Sequence, residues 1–500
     1  MPTFCIENFG CRATQADGAE LERQFESFGL NRAEIAIADM VVLNTCTVTN
    51  SADQDARAAV RRVQRQNPAA KIIVTGCYAQ RAPEEIAALP GVSAVIGNSH
   101  KHQLAEIVLR PTQIHTAGSG DRQDEFSSKL SLSSTRSFIP IASLSDPLPL
   151  TPDPSLFVSD IFAHTELLAA PVFESNSTNH GDRTRPNLKV QDGCDNRCSF
   201  CVIPSVRGHS RSLPVEKVIA EVNTLVASGY KELVISGINL GRWGRDLARG
   251  PQVSDLRDAP TSEVRGPTPI FEDLLRAILA ETQLEKLRIS SVEPMDWTDG
   301  LISLVASSPR IARHAHVPLQ SASDAVLRRM HRKYRPWHYR EKIEKIRAAM
   351  PTAAIGADVM VGFPGESDAE FECTRRFIHE LPFTYLHVFT YSARPGTAAA
   401  AMPNQVPIRV ARARNKILRD LAAEKKLAFM RSFIGKSLDA ITLNIVYESP
   451  AGERTEALTD NYQKLYLRGH HQANRWITTR IEEVQNEALV ESEIGSIDAN

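Results

Sequence analysis

The 500-residue sequence has no apolar run long enough to span a membrane, and no charged N-terminal region that leads into a short apolar one. It also has no excess charge of either sign, because 58 Lys and Arg residues nearly balance 59 Asp and Glu residues. Net charge therefore gives no argument for a nucleic-acid partner, and any basic surface must be local. We expect a cytoplasmic protein of ordinary globular composition that has no membrane partner.

Cysteine is scarce, with eight residues in the chain, but six of them stand in settings typical of metal ligands. This usage fits reduced thiols better than a disulfide framework. One set has the spacing C-x₃-C-x₂-C and consists of Cys194, Cys198 and Cys201. Zinc ribbons use pairs of C-x₂-C instead. Three thiolates predict a four-iron cluster with one iron left open to bind and reduce a ligand; the alternative is a structural metal knuckle.

A second set of cysteines consists of Cys11, Cys46 and Cys77, each of which follows a predicted strand. The carboxyl ends of parallel strands lie along one edge of a sheet, so these side chains should converge on one rim. There they could hold a second cluster, again with one iron unligated. The alternative is three buried apolar cysteines. We expect Cys5, inside a strand, and Cys373, inside a helix, to be core residues.

Alternating strand and helix patterns predict an α/β fold, with a parallel α/β sheet domain followed by a partial (βα)6 barrel. Short alternating runs near the C-terminus predict a small β-barrel. The expected segments are residues 1–110 (N-terminal domain), 111–183 (polar Ser/Pro-rich linker or insertion), 184–432 (central barrel), 433–490 (small β-barrel) and 491–500 (tail). A second polar insertion, at 246–268, interrupts the second βα unit.

With both cysteine sets in place, the chain resembles the methylthiotransferase branch of the radical S-adenosylmethionine enzymes. Several stretches look like the subgroup that acts on threonylcarbamoyladenosine in tRNA. They are Cys201–Ser212, Ser236–Gly241, Ser290–Pro294, His316–Ser321, Met330–Tyr334, Gly362–Glu366 and Tyr391–Thr397. Two positions depart from the family pattern: Thr14 stands where Asn is usual, and Ala322 stands where Gly is usual.

The resemblance implies two [4Fe–4S] clusters. One, on Cys194, Cys198 and Cys201, would hold S-adenosylmethionine, and an auxiliary one would be held by the N-terminal cysteine set. S-adenosylmethionine would serve as radical source and methyl donor, with sulfur delivered at the auxiliary cluster. The implied product is the 2-methylthio derivative of N6-threonylcarbamoyladenosine 3′ to the anticodon. Carbon 2 of adenine carries an unactivated C–H bond, so a cofactor must supply the radical chemistry.

Residues at the ends of the barrel strands are expected to contact S-adenosylmethionine. They are Ser236, Gly237, Ser291, Glu293, Gln320, Ser321, Val361, Gly362 and Phe363. Candidate substrate contacts are Arg207 and Arg211, which could pair with a phosphate or a carboxylate, and Arg332 and Lys333, within a basic run. A second basic stretch is predicted on a long helix at Pro407–Phe433. The C-terminal segment resembles the TRAM domain, a small barrel used for tRNA contacts.

The expected partners are a tRNA anticodon stem-loop, S-adenosylmethionine and a reductant such as flavodoxin or ferredoxin, and the chain is expected to be a monomer. Three alternatives stay open. The substrate could be a ribosomal protein aspartate, or isopentenyladenosine in tRNA, although Arg207–Ser212 disfavours the latter. The chain could also be a non-catalytic iron–sulfur RNA-binding or sensor protein.

Overall fold

The computed structural model describes residues 1–109, 155–164, 166–167, 185–247, 268–449, 452–492 and 497–498. Most of the predicted linker, most of the second polar insertion and most of the tail lie outside the described residues. The described residues form an N-terminal α/β domain, a central barrel and a C-terminal β-barrel. No helix among them is both long and apolar enough to cross a membrane.

The N-terminal domain contains a parallel sheet with the strand order β2-β1-β3-β4-β5-β6. Its strands are β1 (Thr3–Asn8), β2 (Asn31–Arg32), β3 (Met40–Thr45), β4 (Lys71–Gly76), β5 (Val92–Gly97) and β6 (Ser155–Phe157). Its helices are α1 (Arg12–Ser27), α2 (Asn50–Gln66), α3 (Cys77–Arg81), α4 (Pro83–Ala87) and α5 (Leu104–Leu109).

Helices cover both faces of this sheet, which explains why β3 is buried along its whole length and begins with four apolar residues. Val41 and Leu43 pack on one face, against Val60 of α2. Met40 and Val42 belong to the core on the other face, which includes Phe25 of α1. The alternating directions of strand side chains thus produce two separate cores from one continuous run.

The edge strand β6 comes from the segment predicted to be a linker. Its residues pair in parallel with β5, from Ala94 with Ser155 to Ile96 with Phe157. A short 3₁₀ turn follows, in which Ile161 is buried. Part of the predicted linker therefore docks on the N-terminal sheet.

The central domain is an open arc of six parallel strands with one antiparallel edge strand, β8. The strands are β7 (Asn187–Asp192), β8 (Arg211–Ser212), β9 (Glu232–Gly237), β10 (Lys286–Ile289), β11 (His314–His316), β12 (Ala354–Val361) and β13 (Tyr385–Thr390). Parallel bridges from Leu287 to Ile311 and from Ser291 to His316 join β10 to β11. Together these pairings confirm the predicted partial barrel.

Helices pack outside the arc and share one large core with the strands. They are α6 (Ile203–Arg207), α7 (Val215–Ala227), α8 (Phe271–Glu281), α9 (Asp299–Ser307), α10 (Asp324–Arg329), α11 (Pro336–Ala349) and α12 (Asp368–Glu380), followed by the long α13 (Ile408–Arg431). The start of α12 follows from the sequence. Ser367 and Glu370 form a reciprocal capping box that satisfies free backbone N–H groups at the helix N-terminus.

The C-terminal domain is a closed barrel. It contains β14 (Ser437–Ser449), β15 (Gly452–Thr459), β16 (Lys464–Arg468), β17 (Trp476–Gln485), β18 (Ala488–Glu491) and the short β19 (Ile497–Asp498). Pairing runs β14-β15-β16-β18-β17, and β17 returns to β14, so the sheet closes on itself. The alternating apolar pattern predicted this barrel.

Two buried polar networks attach the N-terminal domain to the central barrel. In one, Arg207 of the barrel donates to Asp17 of α1 at 3.0 Å. In the other, Arg394 donates to Asp53 of α2 and to the hydroxyl of Thr47. Both guanidinium groups are almost fully buried. The carboxyl ends of the two sheets are therefore held in a fixed relation to each other.

Candidate active site

The N-terminal cysteine set converges at the rim of the sheet, as the strand pattern predicts. Cys11 is the N-cap of α1, Cys46 follows β3, and Cys77 opens α3 directly after β4. Gly10 has φ +116°, and a Cβ at this position would lie 2.4 Å from the Cβ of Cys46 and 2.9 Å from its Sγ. Only glycine lets the Cys11 turn approach Cys46 this closely.

The thiols of this set influence one another electrostatically. Burial raises the pKa of Cys46 to about 12, with further contributions from Cys77 and Cys11. Nearby polar groups complete the surroundings. Asn98 donates to the Sγ of Cys77 at 3.5 Å, and the Thr14 hydroxyl lies 3.6 Å from the Sγ of Cys11. A bound metal group would favour the thiolate form of Cys46, which burial disfavours.

The barrel cysteine set lies on the loop after β7. Burial, with smaller contributions from the neighbouring thiols Cys198 and Cys194, raises the pKa of Cys201 to about 12. A backbone hydrogen bond from Cys201 N–H to the carbonyl of Cys198, 3.1 Å long, fixes the turn between them. The three sulfur atoms therefore share one small region.

Polar donors from other elements point at the sulfur atoms of the barrel set. Asn239, beyond β9, donates to the Sγ of Cys194 at 3.6 Å. Arg332 donates to the Sγ of Cys198 at 3.3 Å, and its other terminal nitrogen pairs with Glu293. Such donors stabilise thiolates and tune a bound cluster.

The spacing of the sulfur atoms suits clusters better than single metal ions. Thiolates around one tetrahedral zinc stand about 3.8 Å apart, given a Zn–S distance of ~2.3 Å. Among the described residues, the group whose ligand atoms all lie within 4.8 Å of one another is His316, Asp358 and His387, and neither cysteine set is so compact. Neither set therefore has the compact arrangement that a single zinc ion requires.

A chamber of about 550 Å³ lies inside the arc of strands. Residues of all three domains line it, among them Cys11 of the N-terminal set and Tyr462 of the C-terminal barrel. Gly237 and Ile238 also face it, and the next residue, Asn239, is the one that contacts Cys194. The chamber is therefore flanked by the two cysteine sets.

Four residues of the predicted S-adenosylmethionine set have suitable positions. Ser236, Gly237 and Ser291 line the chamber, and the Ser236 hydroxyl is buried without a hydrogen-bond partner among the described residues. Glu293 lies outside the chamber wall, paired with Arg332 beside the barrel cysteines. These positions keep their assignment as candidates for cofactor contact.

For the other residues of the predicted set, the structure leaves little or no side-chain surface toward the chamber, and their predicted contact with S-adenosylmethionine stays a prediction. Val361 and Phe363 are 0% exposed and belong to apolar cores, and Ser321 is 0% exposed with its hydroxyl 3.2 Å from that of Thr374. Gly362 donates its N–H to Glu366, away from the chamber. Gln320, half-buried with φ +61°, bridges to β12 through its backbone.

The predicted substrate arginines serve the domain interface instead. Arg207 is buried, and its two terminal nitrogens bond to Asp17 and Asp192. Arg211 donates to the carbonyls of Arg207 and His164. Their predicted role in substrate pairing is therefore contradicted, because neither guanidinium has a free donor edge that faces the chamber.

The other basic positions divide in the same way. The two terminal nitrogens of Arg332 bond to Cys198 and to Glu293, which leaves neither for the predicted contact with RNA. Lys333 is exposed and stays a candidate. Cys373 is exposed, so its predicted core position is wrong, while Cys5 is half-buried in its strand.

Several residues of the site have no sequence signal that singles them out. Asn98 and Asn239 reach the cysteine sulfur atoms only through the fold. His314, Tyr385 and His387 also line the chamber. His314 and His316 alternate along β11 just before the Pro-Leu-Gln-Ser stretch, a pattern that could have suggested one inward face.

Comparisons with known proteins agree with this geometry. Residues 3–97 match a family described as uncharacterized protein family UPF0004, and residues 188–378 match the radical SAM superfamily. The threonylcarbamoyladenosine tRNA methylthiotransferase MtaB of Bacillus subtilis is 33% identical over 94% of this chain and 91% of its own length. This chain belongs to the radical S-adenosylmethionine methylthiotransferase family.

Other methylthiotransferases of the family show a similar identity. The MtaB protein of Aquifex aeolicus is 31% identical over 95% of this chain and 99% of its own length. The tRNA-2-methylthio-N(6)-dimethylallyladenosine synthase of Novosphingobium aromaticivorans is also 31% identical, over 88% of this chain and 86% of its own. Among solved structures, the radical S-adenosylmethionine methyltransferase TsrM of Kitasatospora setae shares the fold, with a TM-score of 0.53 and 13% identity over 80% of this chain and 74% of that one.

Proposed function

We propose that this methylthiotransferase converts N6-threonylcarbamoyladenosine 3′ to the anticodon of tRNA into its 2-methylthio derivative. The observation that carries the proposal is the chamber between two cysteine sets, within a chain that is similar to MtaB proteins over nearly its whole length. A methylthio group contains both a sulfur and a methyl, so the reaction needs more than radical generation. In a chamber flanked by two clusters, one cluster could generate the radical and the other could deliver sulfur to the same bound base.

The cofactors are two [4Fe–4S] clusters and S-adenosylmethionine. We assign the auxiliary cluster to Cys11, Cys46 and Cys77, and the other cluster to Cys194, Cys198 and Cys201. When bound, these groups supply the radical, the sulfur site and the methyl donor that acid–base chemistry lacks.

The protein's own residues hold and orient these groups. Asn239 and Arg332 donate to the sulfur atoms of the barrel set, which favours their thiolate forms. Glu293 fixes the guanidinium of Arg332 and completes this arrangement. Ser236 offers a buried hydroxyl with no hydrogen-bond partner among the described residues, which could bind a polar end of S-adenosylmethionine.

The remaining partners follow from the reaction. The two clusters need an electron source, for which we propose a reductant such as flavodoxin or ferredoxin. We propose that the enzyme acts as a monomer in the cytoplasm, where tRNA is available. Tyr462 of the C-terminal barrel reaches the chamber wall, which supports a role for that TRAM-like domain beside the substrate.

The test is the reaction itself, with anaerobically reconstituted protein, a reductant, S-adenosylmethionine and an anticodon stem-loop that carries threonylcarbamoyladenosine. We expect mass spectrometry of the digested RNA to show the 2-methylthio nucleoside, with 5′-deoxyadenosine formed alongside. A stem-loop with dimethylallyladenosine is the comparison substrate. If 5′-deoxyadenosine forms but only the dimethylallyl RNA is methylthiolated, the substrate assignment is wrong; if no 5′-deoxyadenosine forms, the enzymatic assignment fails.

A further inference from the structure

The chamber contains a positive charge that has no acidic partner among the residues that the structure describes. Arg12 directly follows Cys11 at the start of α1, and its exposed side chain lines the chamber. Within the described part of the chain it makes no hydrogen bond through its side chain and no ion pair. Its guanidinium is therefore free to bind an anion that enters the chamber.

The other arginine of the chamber, Arg288, makes hydrogen bonds through all three nitrogens of its guanidinium group. Arg288 is 1% exposed and donates through Nε to Glu232 at 2.7 Å. Its terminal nitrogens reach the carbonyls of Asp460 and Thr459. The donors of Arg288 thus tie the C-terminal barrel to β10, whereas those of Arg12 have no partner among the described residues.

A histidine that also lines the chamber offers a weaker polar contact to the same ligand. Asp358 accepts from His316 at 3.2 Å and from the Nδ1 of His387 at 3.3 Å, which orients both rings. The Nε2 of His387 has no hydrogen-bond partner within the part of the chain that the structure describes. A ligand held by Arg12 would therefore have a second polar atom available within the same chamber.

We propose that Arg12 binds the carboxylate on the threonyl group of the target nucleoside and is the residue that selects this substituent. The inference rests on the proposed function, because it assumes that an N6-modified adenosine enters the chamber. A guanidinium presents two parallel donors that match a carboxylate. An apolar dimethylallyl group would instead remove water from Arg12 without replacing its hydrogen bonds, which is costly.

The chamber's size and position agree with this assignment. Its volume of about 550 Å³ lies within the range of sites that bind small molecules. Overall similarity does not separate the two substituents, since relatives named for each are 33% and 31% identical to this chain. The discriminating feature must therefore lie in particular residues, and Arg12 is the uncompensated cation next to a cluster ligand.

The experiment measures binding rather than turnover. It compares the affinity of reconstituted wild type, Arg12→Gln and Arg12→Lys for two stem-loops, one with threonylcarbamoyladenosine and one with its methyl ester. Loss of a charged hydrogen bond predicts that Arg12→Gln binds the acid about 10- to 100-fold more weakly and the ester unchanged. Arg12→Lys should keep a preference for the acid, because it keeps the charge.

Arg61→Gln is the matched control. Arg61 is likewise exposed, lies in the same domain on α2 outside the chamber, and has no ion pair within the described residues. The substitution changes the net charge by the same amount, so any loss of general attraction to RNA should appear there equally for both stem-loops.

The outcomes separate the two claims. Wild type that binds acid and ester equally, or Arg12→Gln that weakens both equally, would overturn the role of Arg12. The comparison of acid with ester on wild type stands even if a variant loses iron. Should wild type methylthiolate only dimethylallyladenosine, the proposed function fails, and the Arg12 assignment fails with it. Should wild type methylthiolate the acid while Arg12→Gln binds acid and ester as wild type does, the Arg12 assignment alone fails.

Discussion

The buried charge network around Asp17 makes the strongest prediction about how the domains stay together. Asp17, on α1, accepts from Lys101 at 3.0 Å and from Arg207 at 3.0 Å, and it also bonds to Lys189. Burial alone would raise the pKa of Asp17, but Arg207, Lys101 and Lys189 lower it below its ordinary range. The side chain is therefore a buried carboxylate at neutral pH.

The change Asp17→Asn keeps the size of the side chain and removes its charge. Three buried cations would then face one remaining carboxylate, Asp192, which accepts from Lys189 at 2.8 Å and from Arg207 at 2.9 Å. Loss of one partner from a buried ion pair typically costs about 3–5 kcal/mol. Because Lys189 and Arg207 belong to the barrel, this cost falls on the contact between the domains.

The assay is urea unfolding of anaerobic, reconstituted protein, followed by circular dichroism and by the cluster absorbance. Asp420→Asn is the control, since Asp420 pairs with Lys416 on the surface of α13 with side chains 65% and 77% exposed. An exposed pair of this kind contributes less than about 1 kcal/mol. If Asp17→Asn destabilised the protein no more than Asp420→Asn does, the network would not hold the interface and the reasoning would be refuted.

Three further predictions test other parts of the structure. Cys46→Ala should lose about half of the iron yet still cleave S-adenosylmethionine, whereas Cys198→Ala should abolish cleavage; full product formation by Cys46→Ala, by mass spectrometry, would exclude the auxiliary cluster from the reaction. Arg394→Ala removes the buried bond to Asp53 and should lower product yield more than S-adenosylmethionine cleavage, because it loosens the N-terminal domain; an equal loss of both would contradict this. Burial, and then neighbouring positive charges, lower the pKa of His314. Below about pH 6.5 the unfolded chain therefore binds a proton that the folded chain does not. The free energy of unfolding should fall by ~1.4 kcal/mol for each pH unit below that value. His314→Gln should flatten that slope in denaturation measured between pH 7 and 5.5, and an unchanged slope would show that His314 is not responsible.

The element order and both cysteine sets could be predicted because each depends on local patterns. Continuous apolar runs, such as the four residues from Met40 to Leu43, indicate strands covered on both faces. The strand-then-cysteine pattern brings Cys11, Cys46 and Cys77 to one edge through parallel topology alone. Neither inference needs knowledge of distant contacts.

The contacts at the strand ends were harder to predict, because facing direction alternates along a strand. In β12, Asp358 and Met360 are half-buried, whereas Val359 and Val361 are buried. The sequence expectation placed Val361 on the chamber side, and the structure gives that side to Asp358. A one-residue change in register reverses every side chain, so position near a strand end does not decide which residue faces a ligand.

Arg207 illustrates a second limit. It follows the cysteine loop and looks available for substrate, yet its partner Asp17 lies 190 residues away in sequence. No local pattern shows that two domains meet at this point. Charged residues beside a motif can therefore be structural ion-pair partners that only the tertiary structure identifies.

The most direct test of the central claim is nucleoside mass spectrometry of tRNA from cells with and without this chain, in a strain that has no second enzyme of the same activity. We expect cells without the chain to lack 2-methylthio-N6-threonylcarbamoyladenosine and to accumulate its unmethylthiolated precursor. Unchanged levels of the methylthio nucleoside would contradict it.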